Sequence, residues 1–504
     1  MKSFLLYKNK DYKFPKNLPE GSDDLERDLE LKVLFDAMAK EDDFILKIVR
    51  NVVLSSENNS DTIRYRQAIL QDCFKNPKII RQLYQIPIDS IEKKRGSWLS
   101  IFTRYPSGIL SSAVRLMKMQ LGLLKQLRKI ADTYSQDFES EGMVEFFRMI
   151  QNELNDSYFS MMETHLKNLE FRDGAMISAK LGKGNEGNGY VLRLQKFEKG
   201  KWLKRLIFRK PLEFSFTLSP RDEAGGRMLS DIRDRGINLV ANAIAQSAEH
   251  IDDFFEMLQI EIAFYIGCLN LREQLDEKQY PTVIPELEPL INRAHTFSGM
   301  YDVCLALTNQ KKVVGNDLNA NRGEIFLITG ANQGGKTTFL RSIGIAQLMM
   351  QAGMFVGADS FCANLSDGIF THFRRQEDTT MESGKLDEEL TRMSEIIDRI
   401  TPNSLLLFNE SFTTTNEKEG SEIARQITDA LLEKRIKIFF VTHMYDYVNS
   451  YLNQRQKKFV FLQAERKSDG ERTFRMVDGS PTQTSYGKDV FLEVFDSSSD
   501  CEPG

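Results

Sequence analysis

The spacing of apolar residues divides the chain into a mainly helical first half and a second half in which strands and helices alternate. Apolar residues recur every three or four positions over 63–84 and 108–169, which predicts helices. A longer apolar stripe over 222–275 predicts one or two long helices. Core packing would explain this stripe equally well without any mechanical role for the helices.

The period changes between these helical parts. After a glycine-rich segment, residues 190–194 and 206–216 have the composition of strands, so we predict a small β-rich insertion at 171–222. Its basic side chains suit contact with phosphates, and a solvated hairpin face is the equal alternative. These side chains are Lys183, Arg193, Lys196, Lys199, Lys201, Lys204, Arg205, Arg209 and Lys210.

A glycine-rich loop stands between a predicted strand at 324–329 and a predicted helix at 338–350. Residues 330–337 read GANQGGKT, which matches the phosphate-binding pattern G-x-x-x-x-G-K-[ST]. Its glycines let backbone N–H groups turn toward an anion, and the helix N-terminus adds positive potential. Lys336 would reach the β and γ phosphates, and Thr337 would bind Mg²⁺. The predicted nucleotide-binding residues here are Gly330, Ala331, Asn332, Gln333, Gly334, Gly335, Lys336, Thr337 and Thr338.

Two later strands end in polar residues. A strand-like run at 403–408 is closed by Asn409 and Glu410, and a further run at 436–441 is followed by Thr442 and His443. In a parallel sheet these ends lie beside the phosphate loop, with Glu410 placed as general base near the attacking water. The imidazole of His443, at a strand end, either contacts the γ-phosphate or caps the strand. The predicted catalytic residues are Glu410, His443 and Lys336, and the predicted metal ligands are Thr337 and Asn409.

Ser383 and Gly384 open a strongly charged predicted helix. A free helix N-terminus can hold a phosphate, including one bound to a second subunit. Taken alone, the pair is more typical of an ordinary helix cap.

Composition adds limits on the class of protein. A chain of 504 residues with 41% apolar and 28% charged residues predicts a soluble protein of two to four domains. The five cysteines form no C-x-x-C pair, which argues against a disulfide scaffold or a zinc site. No apolar run approaches the length of a membrane span, so we expect a cytoplasmic protein without membrane contact.

Charge is unevenly distributed, although the net charge is only −5. Residues 61–130 hold 14 Lys and Arg against 4 Asp and Glu. A basic face of this kind suits the phosphate backbone of a nucleic acid. Solvated helix faces that pair with acidic neighbours are the alternative.

The motifs together resemble the MutS family. Residues 330–341, GANQGGKTTFLR, are similar to its loop G-P-N-M-G-G-K-S-T-x-x-R, and residues 351–358 to its Q-x-G-x-F-V-P-A continuation. Val314 to Asp317 resembles the V-P-N-D segment that lines the adenine pocket, which adds Asn316 to the predicted nucleotide-binding residues. The F-T-R, S-G, D-E and T-H elements of the family have counterparts at 369–371, 383–384, 409–410 and 442–443.

The resemblance implies a multidomain fold: a helical core and lever domain with a small β insertion, followed by an α/β P-loop ATPase domain of the ABC type. It implies ATP and Mg²⁺ as ligands and a homodimer in which Ser383 and Gly384 complete the partner's ATP site. It also implies an ATP-gated clamp on double-stranded or branched DNA, with possible repair proteins as partners. The predicted bounds are 1–170 for the helical core, 171–222 for the insertion, 223–275 for the lever helices, 276–480 for the ATPase domain and 481–504 for a polar tail.

Departures from the family pattern shape the functional expectation. We find no stretch that resembles the mismatch-reading or Smr domains, so we expect a clamp in repair or recombination without mismatch reading of its own. Asn409 stands where the family has Asp, and residues 412–417 replace its G-R-G-T-S-T turn. An amide supplies no charge to a metal, so slow hydrolysis is expected. The alternative is a nucleotide-binding interaction module with little or no hydrolysis, and an ATPase subunit of a transporter is a weaker third.

Overall fold

The computed structural model describes residues 1–96, 105–171, 174–193, 214–321, 323–375, 384–452, 458–467 and 471–479. The helices are α1 (Ser22–Asp28), α2 (Leu31–Ala39), α3 (Asp43–Leu54), α4 (Ser60–Lys75), α5 (Pro77–Gly96), α6 (Pro106–Tyr134), α7 (Glu141–Glu153), α8 (Asp156–Asn168), α9 (Glu223–Glu277), α10 (Val303–Thr308), α11 (Lys336–Gln351), α12 (Lys385–Arg399), α13 (Glu417–Glu433) and α14 (Tyr445–Leu452). The strands are β1 (Met176–Leu181), β2 (Gly187–Arg193), β3 (Glu286–Glu288), β4 (His295–Met300), β5 (Asn316–Ala320), β6 (Ile325–Thr329), β7 (Ser360–Asn364), β8 (Ile369–Phe373), β9 (Leu405–Asn409), β10 (Lys437–Val441), β11 (Phe459–Arg466) and β12 (Arg472–Asp478).

The chain forms two compact units. The first contains residues 1–3, 78–139 and 143–260, and the second contains 4–77, 140–142 and 261–504. Residues 4–77 therefore group with the phosphate loop, although the predicted bounds assign residues 1–170 to one helical domain. The structure is mixed helical and α/β, as predicted, and the predicted bounds of the separate domains stay a prediction.

The first unit is held together by a buried polar contact as well as by apolar packing. On α6, Gln120 donates hydrogen bonds to the Asp252 carboxylate (2.7 Å) and to the Ala248 carbonyl (3.0 Å) of α9. Lys94 of α5 forms an ion pair with the same carboxylate at 2.7 Å. A buried carboxylate needs such partners, so these contacts fix the three helices against one another.

The predicted lever stretch is a single helix of 55 residues, α9. By length and composition alone, a window of this helix is apolar enough to cross a membrane. However, 83% of that window is buried inside the protein, as expected for the core helix of a folded unit.

A small β structure is present at the predicted insertion. Strands β1 and β2 pair antiparallel as a hairpin. The predicted strand at 206–216 falls largely outside the described residues, and its last residues, 214–216, are described and form no strand. Of the basic residues singled out there, Lys183 and Arg193 are described and the others lie outside the described residues.

The second unit is built on a largely parallel sheet. Its described strands follow the order β12-β11-β6-β10-β9-β8, in which all neighbours are parallel except the β11 and β12 pair. All five residues of β6 and of β10 are buried, as expected for parallel strands that are covered on both faces. The carboxyl ends of β6, β8, β9 and β10 lie at one edge. A second sheet has the order β3-β7-β4-β5.

The first residues of the second unit form an N-terminal strap, residues 4–12, that is bonded to the last turns of α9. The buried carboxylate of Glu261 accepts hydrogen bonds from the backbone N–H groups of Leu5 (2.7 Å) and Tyr12 (3.2 Å). The Tyr265 hydroxyl donates to the Leu5 carbonyl at 2.6 Å. These contacts make the strap an integral part of this unit.

Arg66 of α4 links the N-terminal strap to the helix that follows the phosphate loop. Its side chain is only 2% exposed. The guanidinium donates to the Leu6 carbonyl at 2.9 Å and to the Ala352 carbonyl, just after α11, at 3.3 Å. The buried guanidinium of Arg66 thus donates both to the strap and to the carboxyl end of α11.

Candidate nucleotide-binding site

The predicted phosphate loop joins β6 to α11, as the sequence pattern predicts. Gly330 (φ 113°) and Gly335 (φ 86°) adopt left-handed conformations that side chains disfavour. A Cβ atom added at Gly330 would lie only 2.9 Å from the backbone nitrogen of Ala464. Both the conformation and the close approach of β11 therefore require glycine at Gly330.

Lys336 lies across the loop. Its ammonium donates to the carbonyls of Gly330 (2.8 Å) and Ala331 (2.9 Å), and the residue is 5% exposed. Burial lowers the pKa of Lys336, and the Glu410 carboxylate opposes that shift. An anion held in the loop would favour the charged ammonium further.

The ends of β9 and β10 bring the other predicted residues to the same edge. The Thr337 hydroxyl donates to the Asn409 side-chain oxygen at 3.1 Å. Glu410 follows in a left-handed conformation (φ 53°), and its N–H donates to the Val441 carbonyl at 2.9 Å. His443 is exposed just beyond β10. Residues that are about 70 to 110 positions apart in the sequence thus meet as the parallel topology predicts.

A cavity of about 900 Å³ opens at this edge. Its described lining includes Asn316, residues 332–338, Glu410 and His443, all of which the sequence analysis selected. The volume falls in the range of small-ligand sites, roughly 300–1,000 Å³.

Asn316 lines the cavity, but both ends of its amide are bonded to β12. Its oxygen accepts from the Met476 N–H at 2.7 Å, and its nitrogen donates to the Phe474 carbonyl at 3.4 Å. These bonds hold Phe474, which has φ 60° and is 48% exposed, in the cavity wall. A half-exposed aromatic ring offers a stacking surface for a planar base. Asn316 is thus placed to position Phe474.

Phe474 was missed by the sequence analysis. It lies on β12, well after the last recognised motif, and it reaches the cavity only because β11 and β12 pair beside β6. No local pattern distinguishes it from other apolar strand residues.

Arg374 was also missed. It directly follows β8, its N–H donates to the Asn409 carbonyl at 2.9 Å, and its side chain lines the cavity. The counterpart of the family's F-T-R element, at 369–371, stops short of Arg374. The signal that could have found Arg374 is a charged residue directly after a buried strand at the sheet edge that carries Glu410.

The predicted signature pair is described only in part. Ser383 lies outside the described residues. Gly384 is exposed and immediately precedes α12. It is not among the described residues that line the cavity. The role of the pair in a partner's site stays a prediction.

The turn after β9, residues 410–414 and here called the Glu410 turn, is held by a helix behind it. Phe412 is also left-handed (φ 62°), and its N–H donates to the Glu389 carboxylate of α12 at 2.8 Å. The Thr413 hydroxyl donates to the Glu410 carbonyl at 2.8 Å. Burial raises the pKa of Glu389, which the bond from Phe412 opposes.

His372 of β8 supports the same turn. Burial lowers its pKa to about 4, so the ring is neutral at pH 7. One ring nitrogen then donates and the other accepts. The partners are the Glu389 carbonyl, 3.0 Å from Nε2, and the Ser411 hydroxyl, 2.7 Å from Nδ1. The imidazole therefore joins α12 to the Glu410 turn.

The two protein groups expected to bind Mg²⁺ are both uncharged. They are the hydroxyl of Thr337 and the amide oxygen of Asn409, and no cluster of three or more His, Cys, Asp or Glu side chains in the described ranges suits a metal. Mg²⁺ in such sites usually binds one or two carboxylates together with phosphate oxygens and waters. Thr337 and Asn409 therefore fit Mg²⁺ only where phosphates supply the negative charge.

Two family models match the chain: the MutS2 N-terminal domain at residues 58–278, and MutS domain V at residues 326–495. The chain belongs to the MutS family. The resemblance seen in the sequence is thereby confirmed. The domain V match includes most of the loop-bearing sheet and the ends of β9 and β10, so the phosphate loop and the Glu410 turn lie within the part that the family shares, whereas Asn316 lies outside both matched ranges.

Several DNA mismatch repair proteins named MutS are similar to this chain. The protein of Streptococcus mutans is 29% identical over 274 residues, which is 52% of this chain and 31% of that protein. The protein of Thermus aquaticus is 32% identical over 177 residues, 35% of this chain and 22% of its own length. That of Thermotoga neapolitana is 32% identical over 201 residues, 39% and 25% respectively. The chain thus matches less than a third of the length of each of these relatives.

Proposed function

We propose that this chain is a DNA-associated P-loop ATPase that acts as an ATP-gated dimeric clamp in DNA repair or recombination. One observation carries the proposal: a glycine-rich loop, a buried lysine and the ends of two parallel strands surround a single cavity of about 900 Å³. Membership of the MutS family, whose matched relatives are named as DNA mismatch repair proteins, supports the link to DNA.

The residues have distinct roles in this proposal. Lys336 and the loop amides bind the β and γ phosphates, and Phe474 stacks against the base. Glu410 accepts a proton from the attacking water, and His443 contacts the γ-phosphate side of the cavity. Mg²⁺, held by Thr337 and Asn409 with the nucleotide, would neutralise phosphate charge.

Features of α12 support a dimer. Gly384 leaves the helix N-terminus exposed, where it could meet an anion. Further along, Leu390 and Ile397 are 37% and 40% exposed and lie two turns apart on one face. We therefore infer that a second copy packs on this face, with Ser383 and Gly384 at the partner's nucleotide.

DNA, in double-stranded or branched form, is the proposed macromolecular ligand, and the cytoplasm is the proposed compartment. The excess of basic residues at 61–130 favours contact with the phosphate backbone, although Arg66 is buried and Lys94, Lys118, Lys125 and Arg128 are paired with carboxylates.

A second candidate function has one observation in its favour. The side chain at the proposed metal position, Asn409, is an uncharged amide whose oxygen accepts a hydrogen bond from the Thr337 hydroxyl at 3.1 Å. A nucleotide-binding interaction module that hydrolyses ATP slowly or not at all would need no stronger metal ligand.

Steady-state ATP hydrolysis separates the two candidates. The full chain should be assayed alone and with perfect duplex, mismatched duplex and branched DNA, with Lys336→Ala as the inactive control. Stimulation by DNA that Lys336→Ala abolishes supports the clamp. A near-zero rate that no DNA changes, together with tight ATP binding, supports the interaction module.

A further inference from the structure

The cavity is lined by an excess of positive charge. The described cations of its lining are Lys311, Lys312, Lys336 and Arg374, and the described carboxylates are Asp302 and Glu410. Asp302 is already paired with the Arg341 guanidinium at 2.7 Å. The electrostatic balance of the described lining therefore favours a polyanion before any metal is added.

Arg374 is the cation placed beside the metal position. In the parallel pairing of β8 and β9, Phe373 lies opposite Asn409, so Arg374 is level with Glu410 at the sheet edge. The N–H of Arg374 is bonded to the Asn409 carbonyl, which fixes where its side chain begins. That exposed side chain lines the cavity with Lys336 and Thr337.

The next residue provides a contrast. Arg375 is committed to ion pairs with Asp24 (2.7 Å) and Glu388 (3.5 Å) and is not among the described residues of the cavity wall. Within the described ranges, no hydrogen bond or ion pair engages the Arg374 guanidinium, although it lies close enough to the Glu389 carboxylate to oppose the rise in the pKa of that group. Two adjacent arginines therefore have different tasks, one structural and one open to a ligand.

The protein ligands for Mg²⁺ are weak at the same edge. A neutral Asn409 in place of a carboxylate removes one negative charge from the metal site, and Arg374 adds a positive charge beside it. A guanidinium can bond two phosphate oxygens at once through its planar N–H groups. It can therefore provide part of the charge neutralisation that Mg²⁺ provides in other phosphate sites.

We propose that Arg374 binds the triphosphate directly, so that this chain holds ATP nearly as tightly without Mg²⁺ as with it. The inference rests on the proposed function, in that ATP occupies this cavity. It goes further in assigning Arg374 to the polyphosphate and in making binding, as distinct from hydrolysis, largely independent of the metal.

The test is a titration of the full chain with a fluorescent ATP analogue, in buffer with Mg²⁺ and in buffer with EDTA. For the wild-type chain, Kd should differ by no more than about threefold between the two buffers. Arg374→Ala should weaken binding in EDTA by roughly tenfold to hundredfold, the effect of a hydrogen-bonded charge, and by less in Mg²⁺. Arg375→Ala is the matched control and should stay within about threefold of wild type. Thermal melting of each variant checks the fold.

The outcomes separate the inference from the function on which it rests. Wild-type binding that requires Mg²⁺ overturns the inference and leaves the nucleotide site standing. Equal effects of Arg374→Ala and Arg375→Ala overturn the assignment of Arg374. If the wild-type chain binds no analogue in either buffer, the proposed function fails and the inference fails with it.

Discussion

The phosphate loop and the Glu410 turn reach the same sheet edge by different means. Both contain left-handed backbone. In the loop this conformation falls on Gly330, Gln333 and Gly335, whereas in the turn it falls on Glu410 and Phe412, neither of which is glycine. The loop conformation is thus encoded largely by its own glycines, whereas the turn, which contains no glycine, depends on hydrogen bonds that it makes with β8, β10 and α12.

This difference explains which part of the site can diverge in sequence. A loop whose shape depends on glycine must keep its motif. A turn that is held from outside by Glu389 and the Val441 carbonyl can change its residues while its backbone stays in place. The family's glycine-rich turn is accordingly replaced at 412–417, and the loop pattern is intact.

The largest effect is expected at the loop. Lys336→Ala should weaken ATP binding by roughly a hundredfold or more, because a buried ammonium that contacts phosphate is lost. The fold should persist, since Lys336 bonds only two loop carbonyls. Nucleotide titration and circular dichroism measure the two properties. Tight binding by this variant would refute the phosphate-loop assignment.

Acid should weaken the support of the Glu410 turn. The pKa of His372 in the folded chain, about 4, lies below its ordinary value of 6.5, so the unfolded chain takes up the proton first. The neutral His372 therefore contributes roughly 3 kcal/mol to the free energy of unfolding above about pH 6.5. This contribution is lost as pH falls toward 4. Unfolding by denaturant across this pH range measures it. His372→Gln should flatten the dependence, and an unchanged slope would contradict the role of His372.

Breaking the support from α12 should affect the turn more than the loop. Glu389→Ala leaves the buried Phe412 N–H without its acceptor, at a cost of about 1–3 kcal/mol in the free energy of unfolding. Hydrolysis should fall more than nucleotide affinity, because Glu410 shifts while the loop does not. Glu388→Ala is the control, since that carboxylate makes only a partly exposed pair with Arg375. Equal effects of the two substitutions would show that the turn does not depend on Glu389.

A carboxylate at the proposed metal position should make the Glu410 side of the site contribute more to hydrolysis. Asn409→Asp should raise Mg²⁺-dependent hydrolysis by about tenfold, given the greater strength of bonds to charged groups. It should also make nucleotide binding depend more on Mg²⁺. Rates and affinities at several Mg²⁺ concentrations test both points. An unchanged or lower rate would count against Asn409 as a metal ligand.

The smallest effect concerns backbone strain. Glu410→Gly and Glu410→Ala both remove the proposed base, but only glycine suits φ 53°. The glycine variant should therefore be more stable than the alanine variant by about 1 kcal/mol, and both should lose hydrolysis. Thermal unfolding of the two variants compares them. Equal stability would mean that the turn relaxes without its side chain.

Local patterns predicted the elements of the site but not all of its residues. Strands β6, β9 and β10, helix α11 and the meeting of Lys336, Thr337, Asn409 and Glu410 follow from strand composition, one loop motif and parallel topology. Phe474, Arg374 and Glu389 were not predicted, because each reaches the site through contacts between segments far apart in sequence. The assignment of residues 4–77 to the second unit has the same cause.

The N-terminal strap has a practical consequence for dissecting the protein. A gene fragment that starts at residue 276 would encode the phosphate loop but would omit Arg66 and the Leu6 carbonyl to which Arg66 donates. It would also omit the Glu261 carboxylate, which accepts hydrogen bonds from the strap. The end of α11 would then lose its neighbour and expose an apolar surface. A minimal nucleotide-binding piece must therefore join residues 4–77 to the segment that begins at Glu261, for example through a short linker in place of the first unit.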